Sequence, residues 1–148
     1  MQRGRGHLLA GEAGELVGVS GTTIGQWARR GYIRASRSAA LPHVYSVEDV
    51  AEAAIVAALL RRGVRHADIR RAIERLRGYG DWPLSTATLA TTRADGPRGG
   101  RPRIVLREDG ETFVLTARGW QTVAVPIEAD EVRLRLGRPA GRSTAPAA

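Results

Sequence analysis

Eleven residues, "SGTTIGQWARR" from Ser20 to Arg30, bring together side chains that bind rather than break bonds. Ser20, Thr22, Thr23 and Gln26 come first. They are short hydroxyls and an amide that donate and accept hydrogen bonds in fixed directions. Arg29 and Arg30 come last, and their guanidinium forks match the oxygens of phosphate or carboxylate groups. Arg34, Arg37, His43 and Tyr45 extend the basic and hydrogen-bonding character downstream. Catalytic alternatives fare worse. His7, His43 and His66 are scattered without metal-ligand spacing. Glu108, Asp109 and Glu111 surround a turn as ordinary solvated charges. The chain has no cysteine, which removes thiol nucleophiles, thiolate zinc sites and disulfides together. "GEAGELVGVSG" is glycine-rich, but it follows no strand and lacks the Lys-Ser/Thr of a phosphate loop. The expectation is a protein with no catalytic residues, no metal and no cofactor.

The elements that must hold these groups are legible from periodicity and caps. Ile24, Trp27 and Ala28 form the apolar stripe of a helix from about Gly21 to Arg30, capped by Ser20 and stopped at Gly31. A preceding helix, Ala10 to Val17, carries Ala13, Leu16 and Val17 on one face, and Gly18-Val19-Ser20 makes the corner between the two. Residues 32–45 read as irregular or extended. Ser46-Val47-Glu48-Asp49 opens a third helix in the manner of a capping box, ending near Arg62 and Gly63. This helix is apolar on more than one side, so it should pack against two neighbours. A fourth runs from about Ala67 to Arg77. Beyond "GYGDWPL" the texture changes. "ATTRADGPRGGRP" reads as a loop; "RIVLRE" and "TFVLTA" flank a hairpin turn at Asp109-Gly110; "WQTVAV" follows a second turn. "VRLRL" alternates with Val132, Leu134 and Leu136 on one face. Trp27, Trp82 and Trp120 are expected as core or interface anchors. The fold class is α+β, a four-helix head followed by an antiparallel meander of three or four strands. Expected boundaries are a flexible N-terminus over 1–8, the head over 9–80, a β-rich interaction segment over 81–136 and a disordered tail over 137–148.

Charge points to a polyanionic partner. The formal net charge is +8 and every basic side chain that is not histidine is arginine. Residues 1–80 hold 13 Arg against 7 acids, whereas residues 81–148 hold 10 against 8. The excess therefore lies with the Ser20–Arg30 helix, where it would attract nucleic acid. No stretch reaches the roughly 20 apolar residues of a membrane span, so a cytoplasmic, nucleoid-associated location is expected. A helix after a glycine-containing turn is also common in ordinary helical hairpins, but a recognition helix reads bases with its N-terminal end. Thr22, Thr23 and Gln26 would then meet base edges, with glutamine suited to adenine and the threonine methyl to thymine.

Four elements in register, "GEAGELVGVS", "TTIGQWARRGYI", "VYSVEDV" and "RRGVRHADIRRAIERL", make Leu9 to Leu76 resemble the DNA-binding domain of MerR-like regulators. The resemblance implies a winged helix-turn-helix, with the second helix in the major groove and the segment near Arg34 to His43 as a wing on the flanking backbone. It implies a transcriptional regulator that binds double-stranded DNA; the long helix through which the usual members dimerise is not readable here, and a homodimer on a palindromic site is expected from symmetry. The DNA-facing residues are then Ser20, Thr22, Thr23, Gln26, Arg29, Arg30, Arg34, Arg37, His43 and Tyr45. Two positions depart from the family pattern: Gly25 stands where many members have Arg, and His43-Val44 replaces a basic pair. More loosely, "RRAIERLR", "PLST" and "GWQ" resemble a narrower group in which a MerR-like head joins a β-rich segment. Some of its members are described as antitoxins paired with PIN-type nucleases. The alternative function is therefore an antitoxin whose β segment binds such a nuclease while its head autoregulates the operon. An enzyme or ligand carrier on the same helices would require a convergent polar pocket.

Overall fold

The computed structural model describes residues 6–93, 100–124, 127–134 and 136. The expected tail over 137–148, residues 1–5 and residues 94–99 of the glycine- and arginine-rich loop lie outside them. Helix α1 (Ala10–Val17) and helix α2 (Gly21–Arg29) are joined by the corner at Gly18, whose φ is 90°. The Ser20 hydroxyl accepts the Thr23 amide at 3.0 Å, satisfying one of the free N–H groups that start α2. The helix ends where Tyr32 N donates to Trp27 O and Gly31 N to Ala28 O, a pairing that requires the left-handed turn Gly31 supplies at φ 78°. Two backbones meet almost directly between α1 and α2. A Cβ on Gly14 would lie 2.5 Å from the Val19 carbonyl oxygen, and one on Gly21 would lie 3.0 Å from Gly11 N.

Helix α3 (Val47–Arg61) starts on a complete capping box: Ser46 Oγ accepts Asp49 N, and Asp49 Oδ2 accepts Ser46 N. It is buried on several sides, as its all-round apolar sequence requires. Helix α4 (His66–Arg75) follows, one residue earlier at its start and two shorter at its end than the periodicity predicts. A 3₁₀ turn at Arg77–Tyr79 and the one-turn helix α5 (Pro83–Thr86) complete the helical part.

The sheet has strands β1 (Thr88–Thr92), β2 (Ile104–Glu108), β3 (Glu111–Thr116), β4 (Gly119–Thr122) and β5 (Ala129–Glu131), in the order β4-β3-β2-β1-β5 and antiparallel throughout. Positive φ at both Asp109 and Gly110 closes the β2–β3 hairpin, as the sequence predicts. Two expectations need correction. The predicted loop "ATTRADGPRGGRP" begins inside β1, whose threonines carry no apolar alternation to reveal it. The predicted strand "VRLRL" is displaced: pairing ends at Glu131, Val132 is held by its N–H to Leu89 O, and Leu134 and Leu136 are exposed.

One core unites head and sheet. Ile24, Trp27, Val56, Leu59 and Ile69 from the helices share it with Leu89, Ile104, Leu106 and Leu115 from the strands. Arg62, the residue capping α3, ties the two parts together further, donating to Asp130 O at 2.7 Å, Glu131 O at 2.9 Å and Thr91 Oγ1 at 3.1 Å.

Candidate nucleic-acid interface

Burial of Ile24 and Trp27 sets the rotation of α2, and the opposite face is turned to solvent with Thr22, Gln26, Arg29 and Arg30 exposed. Ser20 and Thr23 take a different role. Ser20 Oγ is engaged with both Thr23 N and Thr23 Oγ1, at 3.0 and 2.9 Å, so this pair caps the helix. Arg30 donates to Nδ1 of His66 at 3.3 Å, an atom the Tyr32 hydroxyl also approaches at 3.0 Å, and the Tyr32 and His66 rings stack. Arg34 pairs with Asp81 at 3.0 Å.

Residues 36–45 form a small hairpin on the C-terminal side of α2. Its two arms are paired by the Ser38–Val44 bridge, which leaves Ala39 to His43 as its tip. The base of this wing is fixed from within the protein. The buried Asp49 carboxylate accepts Ser36 N and Ser36 Oγ, both at 2.7 Å, Ser46 N at 2.9 Å and Trp82 Nε1 at 3.0 Å. Sequence reasoning identified Asp49 only as a helix cap. Its ties to Ser36 and Trp82 are distant in sequence, and no spacing rule reveals them. Arg37 is held in the same region, with Nη2 donating to His7 Nε2 at 2.7 Å. Leu8 pairs with Tyr45 through both backbone bonds, so the ordered head begins before Leu9.

A cleft of about 560 Å³ separates the end of α2 from the wing, and Arg29, Arg34, Arg37 and His43 line it. Beside it, His43 Nδ1 and Tyr45 Oη are buried with no hydrogen-bond partner among the described residues, and the two rings meet edge-on at 6.4 Å. Tyr45, grouped by sequence with the DNA-facing residues, has its ring shut into the core at 1% exposure. Burial raises its pKa above the ordinary tyrosine value and the Asp49 charge adds to this, while Arg29 opposes both. Cations from α2, the connecting segment and the wing thus converge on one channel. Beside it stands a helix face carrying a threonine and a glutamine. That arrangement can hold a polyanionic strand and read a polar edge next to it.

A second cavity, about 400 Å³, lies behind α2 between Arg30, Arg34, Glu52, Arg70, Glu74 and Arg77. Two of its acids are engaged structurally: Glu52 accepts the Leu84 and Ser85 amides at 3.0 and 2.5 Å, and Asp81 on its rim pairs with Arg34. Among the described residues no group of three or more His, Asp or Glu side chains is placed to hold a metal, and no helix is long and apolar enough to cross a membrane.

Residues 10–76 match the family model described as MerR HTH family regulatory protein. The head is therefore a MerR-like helix-turn-helix domain, and the molecule as a whole is α+β, the helical head preceding an antiparallel sheet. The match ends at Leu76, before the sheet begins. Searches of the curated proteins and of the solved structures each give no match.

Proposed function

We propose that this chain is a sequence-specific transcriptional regulator that binds double-stranded DNA, with α2 in the major groove. The carrying observation is the convergence of Arg29, Arg34, Arg37 and His43 on the cleft between α2 and the wing. A phosphate strand seated there brings the N-terminal half of α2 into the adjoining major groove, with Thr22 and Gln26 at base edges. Thr22, Gln26, Arg29, Arg30, Arg34, Arg37 and His43 are the proposed contact residues, with Tyr45 beneath them and Ser20 and Thr23 setting the helix start. Selection of binding sites from random duplexes, followed by salt titration of the winner, tests this. The expected result is one recurrent motif whose log affinity falls linearly with log salt concentration. A sequence-independent affinity, or no binding, overturns the assignment.

The sheet supports a second element of the proposal. Leu134 and Leu136 follow β5 and are 48% and 41% exposed, apolar surface at the rim of a segment outside the family match. We assign this rim to self-association of two chains, which would present two α2 helices to a palindromic site. Light scattering of the full chain should give twice the monomer mass, and Leu134→Glu should halve it. The antitoxin reading shares the same surface and differs in its occupant. It predicts a stable equimolar complex with a small nuclease encoded beside this chain, formed at the expense of nuclease activity.

A further inference from the structure

The wing has an apolar tip. Ala39, Ala40, Leu41 and Pro42 are all exposed, and Leu41, at 85%, is the most exposed large hydrophobic side chain among the described residues. Arg37 and His43 flank this tip without occupying it, and both line the cleft. Phosphate binding accounts for the cleft, but an uncharged tip adds nothing to that.

Geometry assigns the tip a different place on the duplex. The cleft has α2 as one wall and the wing as the other. If a strand lies in the cleft with α2 in the major groove, the wing lies across that strand, over the neighbouring minor groove. Beyond the Ser38–Val44 bridge the chain runs about two residues to Leu41 before it returns. Ala39 to Pro42 bend at the tip, so reach into a minor groove about 7.5 Å deep falls to the Leu41 side chain, 85% exposed at the apex. The rigid base supplied by Asp49 and Ser36 keeps the hairpin from folding away.

We propose that Leu41, backed by Pro42, is an apolar wedge that enters the minor groove beside the half-site and opens a base step there. It would make the wing a specificity determinant for deformability rather than for base identity. A pyrimidine–purine step costs least to unstack, so such a step at the wing position should be preferred although no polar group of the tip contacts it. The proposal rests on the major-groove reading of α2 given above.

The test compares the full wild-type chain, Leu41→Ser and Gln26→Ala on the selected duplex. The duplex carries a 2-aminopurine at the wing step and end-labels for energy transfer. Leu41 is almost wholly exposed, so its replacement by serine should leave the thermal unfolding midpoint unchanged. Wild type should raise 2-aminopurine emission and shorten the end-to-end distance. Leu41→Ser should lose both signals, bind the TA or CA step roughly tenfold more weakly, and bind a rigid A-tract at that step nearly as wild type does. Equal bending and affinity for Leu41→Ser, with Gln26→Ala still losing base discrimination, overturns the wedge and leaves the groove reading standing. Indifference of the duplex to both substitutions overturns the groove reading itself. Loss of self-association by Leu41→Ser with unchanged bending places the tip against protein, and that also overturns the wedge.

Discussion

Gln26 and Arg29 are three residues apart on one exposed face of α2, yet they should fail in different ways when replaced. Glutamine reads a base through two hydrogen bonds, so Gln26→Ala should cost about 1–3 kcal/mol at one base pair and relax preference only there. Arg29 lines the cleft, so Arg29→Ala should weaken every duplex alike and reduce the salt slope by about 1. Fluorescence anisotropy on the selected site and its single-base variants, at several salt concentrations, separates the two. Tyr45→Phe is a third case. Its hydroxyl is buried without a partner, so removal should not lower the free energy of unfolding, and because the ring is shut into the core, affinity for every duplex should stay at the wild-type value. Urea unfolding paired with anisotropy gives both numbers. The exposed readers were legible from the helical stripe of Ile24 and Trp27, because burying two large side chains leaves the other face no choice. Ser20 and Thr23 were not separable from Thr22 in sequence, since a hydroxyl that caps and a hydroxyl that reads have the same composition. Tyr45 was identified as part of the region, but not as part of the core, because an aromatic phenol has one apolar and one polar use.

Elements meet with tolerances that the glycines expose. Gly14 faces the Val19 carbonyl so closely that a methyl group cannot fit without moving backbone. Gly14→Ala should therefore destabilise the fold by about 1–3 kcal/mol, the usual cost of overpacking, and tilt α2 away from its groove with a further loss of DNA affinity. Gly25, inside α2, is the opposite case. A Cβ there meets only the Arg29 guanidinium at 3.5 Å, an ordinary contact. Gly25→Ala should stabilise by about 1 kcal/mol through helix propensity alone. If it lowers operator affinity while raising the melting temperature, the glycine is kept for close approach of DNA to the helix backbone. Unchanged affinity removes that reason. Helix ends were readable to within a residue or two because Ser20, Gly31, Ser46, Asp49 and Gly63 are chemical stop and start signals. Strand β1 was not. "TLATT" buries Leu89, Ala90 and Thr91 in succession, so neither face gives the alternating pattern that marks a half-exposed strand. Strand β5 was misplaced for a related reason: "VRLRL" alternates well, but pairing with β1 stops before it.

At the scale of the molecule, the head and the sheet are one body, and buried acids help to make them so. Asp49 joins the wing to Trp82, and Glu52 joins α3 to the first amides of α5, the turn that leads into the sheet. Glu52 is 2% exposed. Burial raises its pKa above the ordinary glutamate value; the bonds from Ser85 and Leu84 oppose that rise, and the Asp49 charge adds to it. The sign of the consequence follows from linkage. An acid whose pKa is higher folded than unfolded binds its proton more tightly in the folded state, so its contribution to stability is complete below the unfolded value. That contribution is lost as pH rises through the folded value. Free energies of urea unfolding measured from acid to neutral pH, for wild type and Glu52→Gln, isolate the effect, because the other titrating groups cancel in the difference. Glutamine cannot titrate, and its NH2 meets the Leu84 and Ser85 amides donor to donor where the protonated carboxyl still presents a hydroxyl oxygen, so the variant should be less stable at low pH. Wild type minus variant should then shrink steadily as pH climbs above the ordinary glutamate range. A difference that widens with pH instead would mean that the two amides outweigh burial. The α3–α5 junction would then be held by an ionised carboxylate, and acid rather than base would loosen the head from the sheet.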